Sequence, residues 1–497
     1  MLCSFALAEG MPPAMDDAAI VSEVVNGMTL LTAVPRPSHH EEKISAFFMD
    51  WAKDHGFEPH QDECLNVMFE VPATPGMENS PLVILQVHMD MVVAVEPGKE
   101  FDPLNDPITM VRNEEANTLT ADGTSLGADD GAGCSIVMAV ATGKMAHGPL
   151  RVIITTNEED GMTGAFNLSS EWLAGASYLI NLDNETSNQV LVSTAAGDVV
   201  TAAMQPAFIP ASGDTALRIE LGGLKGGHSG VEIDKGRTNG IKALAGFLKV
   251  LEEKDVSFEL ASFSGGTANN AIPNHAECVI VVAAADADTV NTLAGEYAAR
   301  LQDDYAGIED GISLTVTAAG SVPSIVSKTD ADHVIRFLTG IIDGVYTMSP
   351  DMEGLVESSS NIGLAALNEE EGFRASAYLR SSSGPLEEEI MNAHLSLAAE
   401  CGMETDTFKT ALPWAYDPDS KLLALARNLY REQNGEEIEM VAVHAGLECG
   451  TFKVLNPDLD MISIGPDLVD VHTTGETFYL DTLPRVWHLL EGLLAGV

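Results

Sequence analysis

At 497 residues and 45% apolar content, the chain is too long for one hydrophobic core and too apolar for a disordered or collagen-like polymer. Its 75 acidic residues against 25 basic ones leave a formal charge of −50, which repels nucleic-acid phosphates and anionic lipid head groups, so neither is an expected partner. That surplus fits either a salty cytoplasm, where screening relieves self-repulsion, or solvated acidic faces with no special meaning, and both readings stay open.

The opening residues, MLCSFALAEGMPPAMDD, hold a short apolar stretch with no basic segment before it, and read as an ordinary N-terminus rather than a signal peptide. No apolar run reaches the ~18 residues that cross a bilayer, so a soluble protein is expected, and the N-terminus and cysteine usage favour the cytoplasm. The six cysteines (Cys3, Cys64, Cys134, Cys278, Cys401, Cys449) are scattered without a CxxC pair and read as reduced thiols. Buried-looking runs then alternate with helical patterns: PLVILQVHMDMV, GAGCSIVMAVATGK, PLRVIITTNEE and SSEWLAGASYLINLD. Alternation of this kind predicts an α/β fold on a largely parallel sheet, whose strands are covered on both faces and so have no polar side.

From about Ala195 the texture changes to alternating strands such as ALRIELGG and AECVIVVAA, with a helix from Asn239 to Leu251 and the Gly-rich turn SGGTANNAIP. Near Asp406 the first texture resumes, with a helix over SKLLALARNLYREQ, a strand at LDMISIG and a last helix near Pro484 to Leu494. The closing segment is too small for a core of its own. The expected architecture is therefore a discontinuous catalytic domain, 1–196 and 406–497, carrying an inserted α+β domain at 197–405.

In open parallel sheets, ligands bind beyond the carboxyl ends of the strands. His88 and Asp90 close LVILQVHMD, Glu158, Glu159 and Asp160 follow RVIITTN, Asp183 follows YLINL, and His472 lies in the loop after MISIG. Asp129 and Asp130 stand before a helix, where a plain helix cap is the favoured reading of the pair taken alone. Each piece has a bland reading: an incidental HxD pair, turn glycines at Gly127 and Gly131, a solvated acidic turn, a surface histidine. Their arrival at one sheet edge from five segments does not. Two histidines and at least three carboxylates suit zinc, with manganese or cobalt as alternatives. Five donors exceed one four-coordinate catalytic site and suit two metals bridged by a carboxylate.

At these residues the sequence resembles the M20 metallopeptidases, and within them the aminoacyl-histidine dipeptidases, or cytosol nonspecific dipeptidases (PepD-type). The strings VHMDMV, TSLGADDGAG, TNEEDGMTGAF, LINLDNE, GGHSGVEI, GGTANNAIP, HAGLECGTF and ISIGPDLVDVH carry that resemblance in order over nearly the whole chain. It implies that His88 and Asp183 bind one zinc, Glu159 and His472 the other, with Asp129 bridging both. It also implies that Asp90 orients His88, that Glu158 is the general acid/base, and that the Asp129–Asp130 peptide is cis. The inserted domain would be a lid and dimerisation domain, giving a homodimer, with His228 near the scissile carbonyl oxygen and Asn270 and Arg380 on the substrate's C-terminal carboxylate. Val87 departs from the Gly common before the ligand histidine in the wider clan, and the continuing strand makes that harmless.

Two other motifs fail. Gly227-His228-Ser229-Gly230-Val231 lacks the second glycine of a serine-hydrolase elbow, and Gly222 to His228 has histidine where a phosphate loop needs lysine. Cys449 has no activating base and reads as a small buried residue. The expected activity is hydrolysis of dipeptides, and the resemblance implies that those ending in histidine are among them. An N-acyl amino acid deacylase and a non-catalytic metal-binding oligomerisation protein remain as alternatives.

Overall fold

The apolar run at Leu82–His88 forms a strand buried at every position after its first, and a computed structural model that describes residues 14–497 places it at the heart of an eight-stranded sheet. The reading of the opening segment, Cys3 included, lies outside the described residues. Leu82–His88 pairs in parallel with Leu150–Thr155 on one side and Ala176–Asn181 on the other. Asp460–Ser463 continues in parallel beyond Ala176–Asn181. Antiparallel neighbours, Val67–Val71 and Gln189–Thr194, flank these four strands. Helix Ala128–Ala139 packs on the central strand, and the amphipathic helix Lys421–Asn434 on Asp460–Ser463. The second of these starts at a Ser420 cap and ends at Gly435, whose positive φ of 76° suits a left-handed helix stop. The last helix, Leu483–Gly496, buries Leu483, Val486, Trp487, Leu490, Leu493 and Leu494 along one stripe.

The chain divides into two units: Met1–Thr194, Trp414–Ala442 and Leu447–Val497 make the first, and Ala195–Pro413 with Val443–Gly446 the second. The return expected at Asp406 therefore comes later, at Trp414. Strand Glu404–Ala411 is exposed over most of its length, so no apolar pattern marks it, yet it pairs antiparallel with Ala196–Met204. It belongs to the second unit's sheet.

That second sheet is antiparallel, and its strand Thr215–Gly222 alternates buried and exposed positions as a one-sided sheet requires. Helices Gly240–Glu253, Ala287–Asp304 and Lys328–Gly340 bury their apolar stripes in the same core as Ile219, Phe263 and Ile280. Asn239 caps the first of these, accepting the N–H groups of Ile241 and Lys242. Among the described residues no helix is long and apolar enough to cross a membrane.

Candidate active site

Three adjacent parallel strands end side by side, and each delivers acidic or imidazole groups to the same edge. His88 is the last residue of its strand, Asp183 stands two beyond Ala176–Asn181, and Glu158 and Glu159 follow Leu150–Thr155. His88 Nε2 lies 3.1 Å from Asp129 Oδ1 and 3.3 Å from Asp183 Oδ1. His472 Nε2 lies 3.1 Å from the other Asp129 oxygen and 2.7 Å from Glu159 Oε2. Asp129 thus spans two imidazoles, one carboxylate oxygen to each. The five donors expected from five separate segments are together.

Electrostatic stress accompanies that convergence. Burial pushes Asp183 and Glu158 well above the ordinary carboxylate range, with Asp183 adding its repulsion at Glu158. Burial also raises Glu159. Hydrogen bonds with Asp129 and Glu159 drive His472 up to about 11. Burial opposes ionisation at Asp129, but the hydrogen bonds from His472 and His88 prevail and hold it well below its usual value. No Lys or Arg forms an ion pair with Asp129, Glu159 or Asp183 among the described residues, and Glu159 Oε1 is buried without a hydrogen-bond partner. A cluster of carboxylates this poor in cations, with an orphaned oxygen, fits a site for divalent metal.

The neighbouring residues divide the remaining work. Asp130 has non-helical φ/ψ at a kink inside helix Ala128–Ala139 and caps the turns that follow: its Oδ1 accepts the N–H of Gly133, while its Oδ2 accepts that of His88. It also lies within reach of His88 and Asp183, but those two backbone bonds occupy its oxygens while Asp129 faces the imidazoles. The Asp129–Asp130 peptide is cis. Asp90 is fully buried, accepts the Glu158 N–H at 3.1 Å and the Ser38 hydroxyl at 2.8 Å, and sits 3.5 Å from His88 Nδ1. It therefore ties the acidic turn to the strand that carries His88. Asp160, the third carboxylate of the acidic run, is exposed and pairs instead with His39 at 2.8 Å.

Two buried charges that sequence did not single out shape the loop before Asp129. Glu476 accepts the N–H groups of Leu126, Gly127 and Ala128 at 2.7, 2.9 and 2.6 Å. Arg36 donates to the carbonyls of Met89, Asp90 and Gly127. Gly127 has φ of 70°, and a Cβ there would lie 2.6 Å from the Arg36 guanidinium; at Gly131 the same guanidinium would lie 2.8 Å away. These glycines make room for an arginine as well as a turn. Replacing Glu476 by Ala strands three buried donors at about 1–3 kcal/mol each, so a loss of roughly 3 kcal/mol or more is expected. Urea unfolding in chelator checks it, and an unchanged midpoint would refute the clamp.

In the second unit, the ladder Gly227–His228 with Ala271–Ile272 sets His228 beside the Asn270 turn, and Asn270 O accepts the Ser229 N–H at 2.8 Å. Nδ1 of His228 accepts from the N–H groups of Gly230 and Val231, which leaves the proton on Nε2. Arg380 is 4% exposed, lies over the Tyr378 ring at 4.1 Å, and has a buried Nε without a partner. Burial, then the Arg380 charge, lowers His228, and the same two causes bring His444 down to about 3. His444, not anticipated from sequence, bonds Ser359 at 2.7 Å. A buried guanidinium flanked by neutral imidazoles favours an anion. Cys449 is fully buried, and burial raises its thiol far above reactivity.

Residues 66–217 match the model of peptidase family M28, and residues 219–309 that of the M20 peptidase dimerisation domain. The cytosol non-specific dipeptidase of Escherichia coli strain K12 is 35% identical over 471 residues, covering 94% of this chain and 96% of that one. The structure of aminoacylhistidine dipeptidase from Vibrio alginolyticus matches with a TM-score of 0.90 at 32% identity, over 96% of both chains. A tripeptidase from Staphylococcus aureus, at 14% identity and a TM-score of 0.53, over 95% of this chain and 97% of that one, shares the fold alone. Near-complete coverage at 35% identity outweighs the partial M28 match. The chain belongs to the aminoacylhistidine dipeptidases, or cytosol non-specific dipeptidases, of the M20 metallopeptidases, and is a peptide-bond hydrolase.

Proposed function

We propose that the chain cleaves dipeptides, those with C-terminal histidine among them, at a two-zinc centre, acting in the cytoplasm as a homodimer. The observation that carries this is Asp129, whose two oxygens face two imidazoles that each also meet a second carboxylate. His88 and Asp183 would hold one metal, Glu159 and His472 the other, and Asp129 both; manganese or cobalt would suit the same N/O donors. Similarity over nearly the whole chain to a cytosol non-specific dipeptidase and an aminoacylhistidine dipeptidase supports the substrate and the compartment, and the dimerisation-domain match supports the homodimer.

When bound, the metals supply an acidified water and polarise the substrate carbonyl. Glu158 takes the water's proton and delivers it to the departing amine, while Asp90 holds the Glu158 backbone in place. His228, with its proton on Nε2, donates to the oxyanion. Arg380 and Asn270 bind the substrate's terminal carboxylate. The substrate's amino group would meet the acidic groups beside the metals, and this clamp at both ends limits length, so tripeptides and N-acylated substrates are expected to be poor.

Metal-loaded protein assayed against Xaa-His dipeptides, other dipeptides, tripeptides and N-acyl amino acids tests the reading. Dipeptides should be cleaved at least an order of magnitude faster in kcat/KM than the other classes, since a charge-assisted contact contributes about 1.5–3 kcal/mol. On dipeptides, Arg380→Ala should fall about 10- to 100-fold in kcat/KM with metal content unchanged. Preference for N-acyl amino acids, or an Arg380→Ala enzyme with wild-type KM, would overturn it.

A further inference from the structure

Strands buried on both faces have no use for polar side chains, yet Thr155, Gln86, Asn181 and Ser463 lie fully buried on four adjacent strands of the first sheet. They form one continuous row. The Ser463 hydroxyl donates to Asn181 Oδ1, and the Asn181 amide donates to Gln86 Oε1 at 2.6 Å. The Gln86 amide donates to Glu448 Oε2 at 2.6 Å and to the Thr155 hydroxyl oxygen at 3.1 Å. The Thr155 hydroxyl in turn donates to the same Glu448 oxygen at 2.7 Å. Glu448, the first residue of helix Glu448–Leu455, is itself fully buried and closes the row.

An apolar row would fill this space without the cost of stranded polar groups. What hydrogen bonding adds is direction. Gln86 stands opposite Asn181 and Ser463 opposite Asn181 in the parallel registers, so each bond pins neighbouring strands at one relative height. Gln86 precedes His88 by two residues on one strand, so their side chains share a face. Asn181 Oδ1 also accepts the Asp183 N–H at 3.3 Å. Thr155 lies opposite His88 and leads directly into the turn of Glu158 and Glu159.

We infer that Glu448, Gln86, Thr155 and Asn181 are positioning residues: a hydrogen-bonded layer beneath the site that holds His88 and Asp183 at metal-binding spacing. This rests on reading His88 and Asp183 as metal ligands. Glu448 works through one oxygen, since its Oε1 has no partner, so an amide can replace its carboxylate.

The test strips the full-length protein with chelator and titrates Co2+, following visible absorption, which reports ligand geometry. Gln86→Leu and Glu448→Ala should bind Co2+ about tenfold more weakly with a shifted band, while Glu448→Gln stays within about twofold of wild type. Wild-type affinity and band in either Gln86→Leu or Glu448→Ala would overturn the layer, whatever their melting temperatures. Should either fail to fold, Thr155→Val keeps the shape and removes only the hydroxyl; weaker Co2+ binding supports the inference and unchanged binding refutes it. Failure of the wild-type protein itself to bind Co2+ would instead refute the ligand reading on which the layer depends.

Discussion

Glu158→Gln should keep its metal and lose its turnover. The amide preserves size, and the backbone N–H that Asp90 holds is untouched, so the acidic turn stays in place. What disappears is a group able to take a proton and return it. General acid/base catalysis contributes about 10²- to 10⁴-fold, equivalent to ~3–5 kcal/mol of barrier, and kcat should fall by that factor. Metal analysis and steady-state kinetics on the same preparation separate the two effects. A variant that retains kcat would remove Glu158 from the reaction, and one that sheds metal would make it a ligand.

Asp129→Ala should do the opposite, losing metal first and activity as a consequence. Both oxygens of Asp129 are engaged, one with each histidine, so no other carboxylate substitutes for it. Asp130 cannot move into the role without releasing the N–H groups of Gly133 and His88. The helix keeps its cap, so the fold should survive with unchanged circular dichroism. After dialysis against dilute chelator, metal content should fall below about one ion per chain, because losing a bridge weakens both sites together. Retention of wild-type metal content would refute the bridge.

The donors were legible because their chemistry stands out against apolar strands. His88 ends one predominantly apolar run and Asp183 follows another, and the rule that ligands gather beyond strand termini assigns them to one edge. Residue types alone did not separate Asp129 from Asp130, since both stand before a helix; the family resemblance named Asp129, and the geometry shows Asp129 facing the imidazoles while Asp130 accepts backbone N–H groups. The supports were hidden for a different reason. Glu476 and Arg36 act on backbone amides and carbonyls from distant segments, and such contacts leave no pattern in residue types. The boundary near Trp414 was hidden because Glu404–Ala411 is an exposed strand, whose polar side chains conceal a pairing made by its backbone.

The most direct measurement is anomalous diffraction at the zinc absorption edge from crystals of the metal-loaded protein. Two peaks per chain should appear, one beside His88 and Asp183, one beside Glu159 and His472, with Asp129 touching both. A single peak, or peaks elsewhere in the chain, would contradict the two-metal centre.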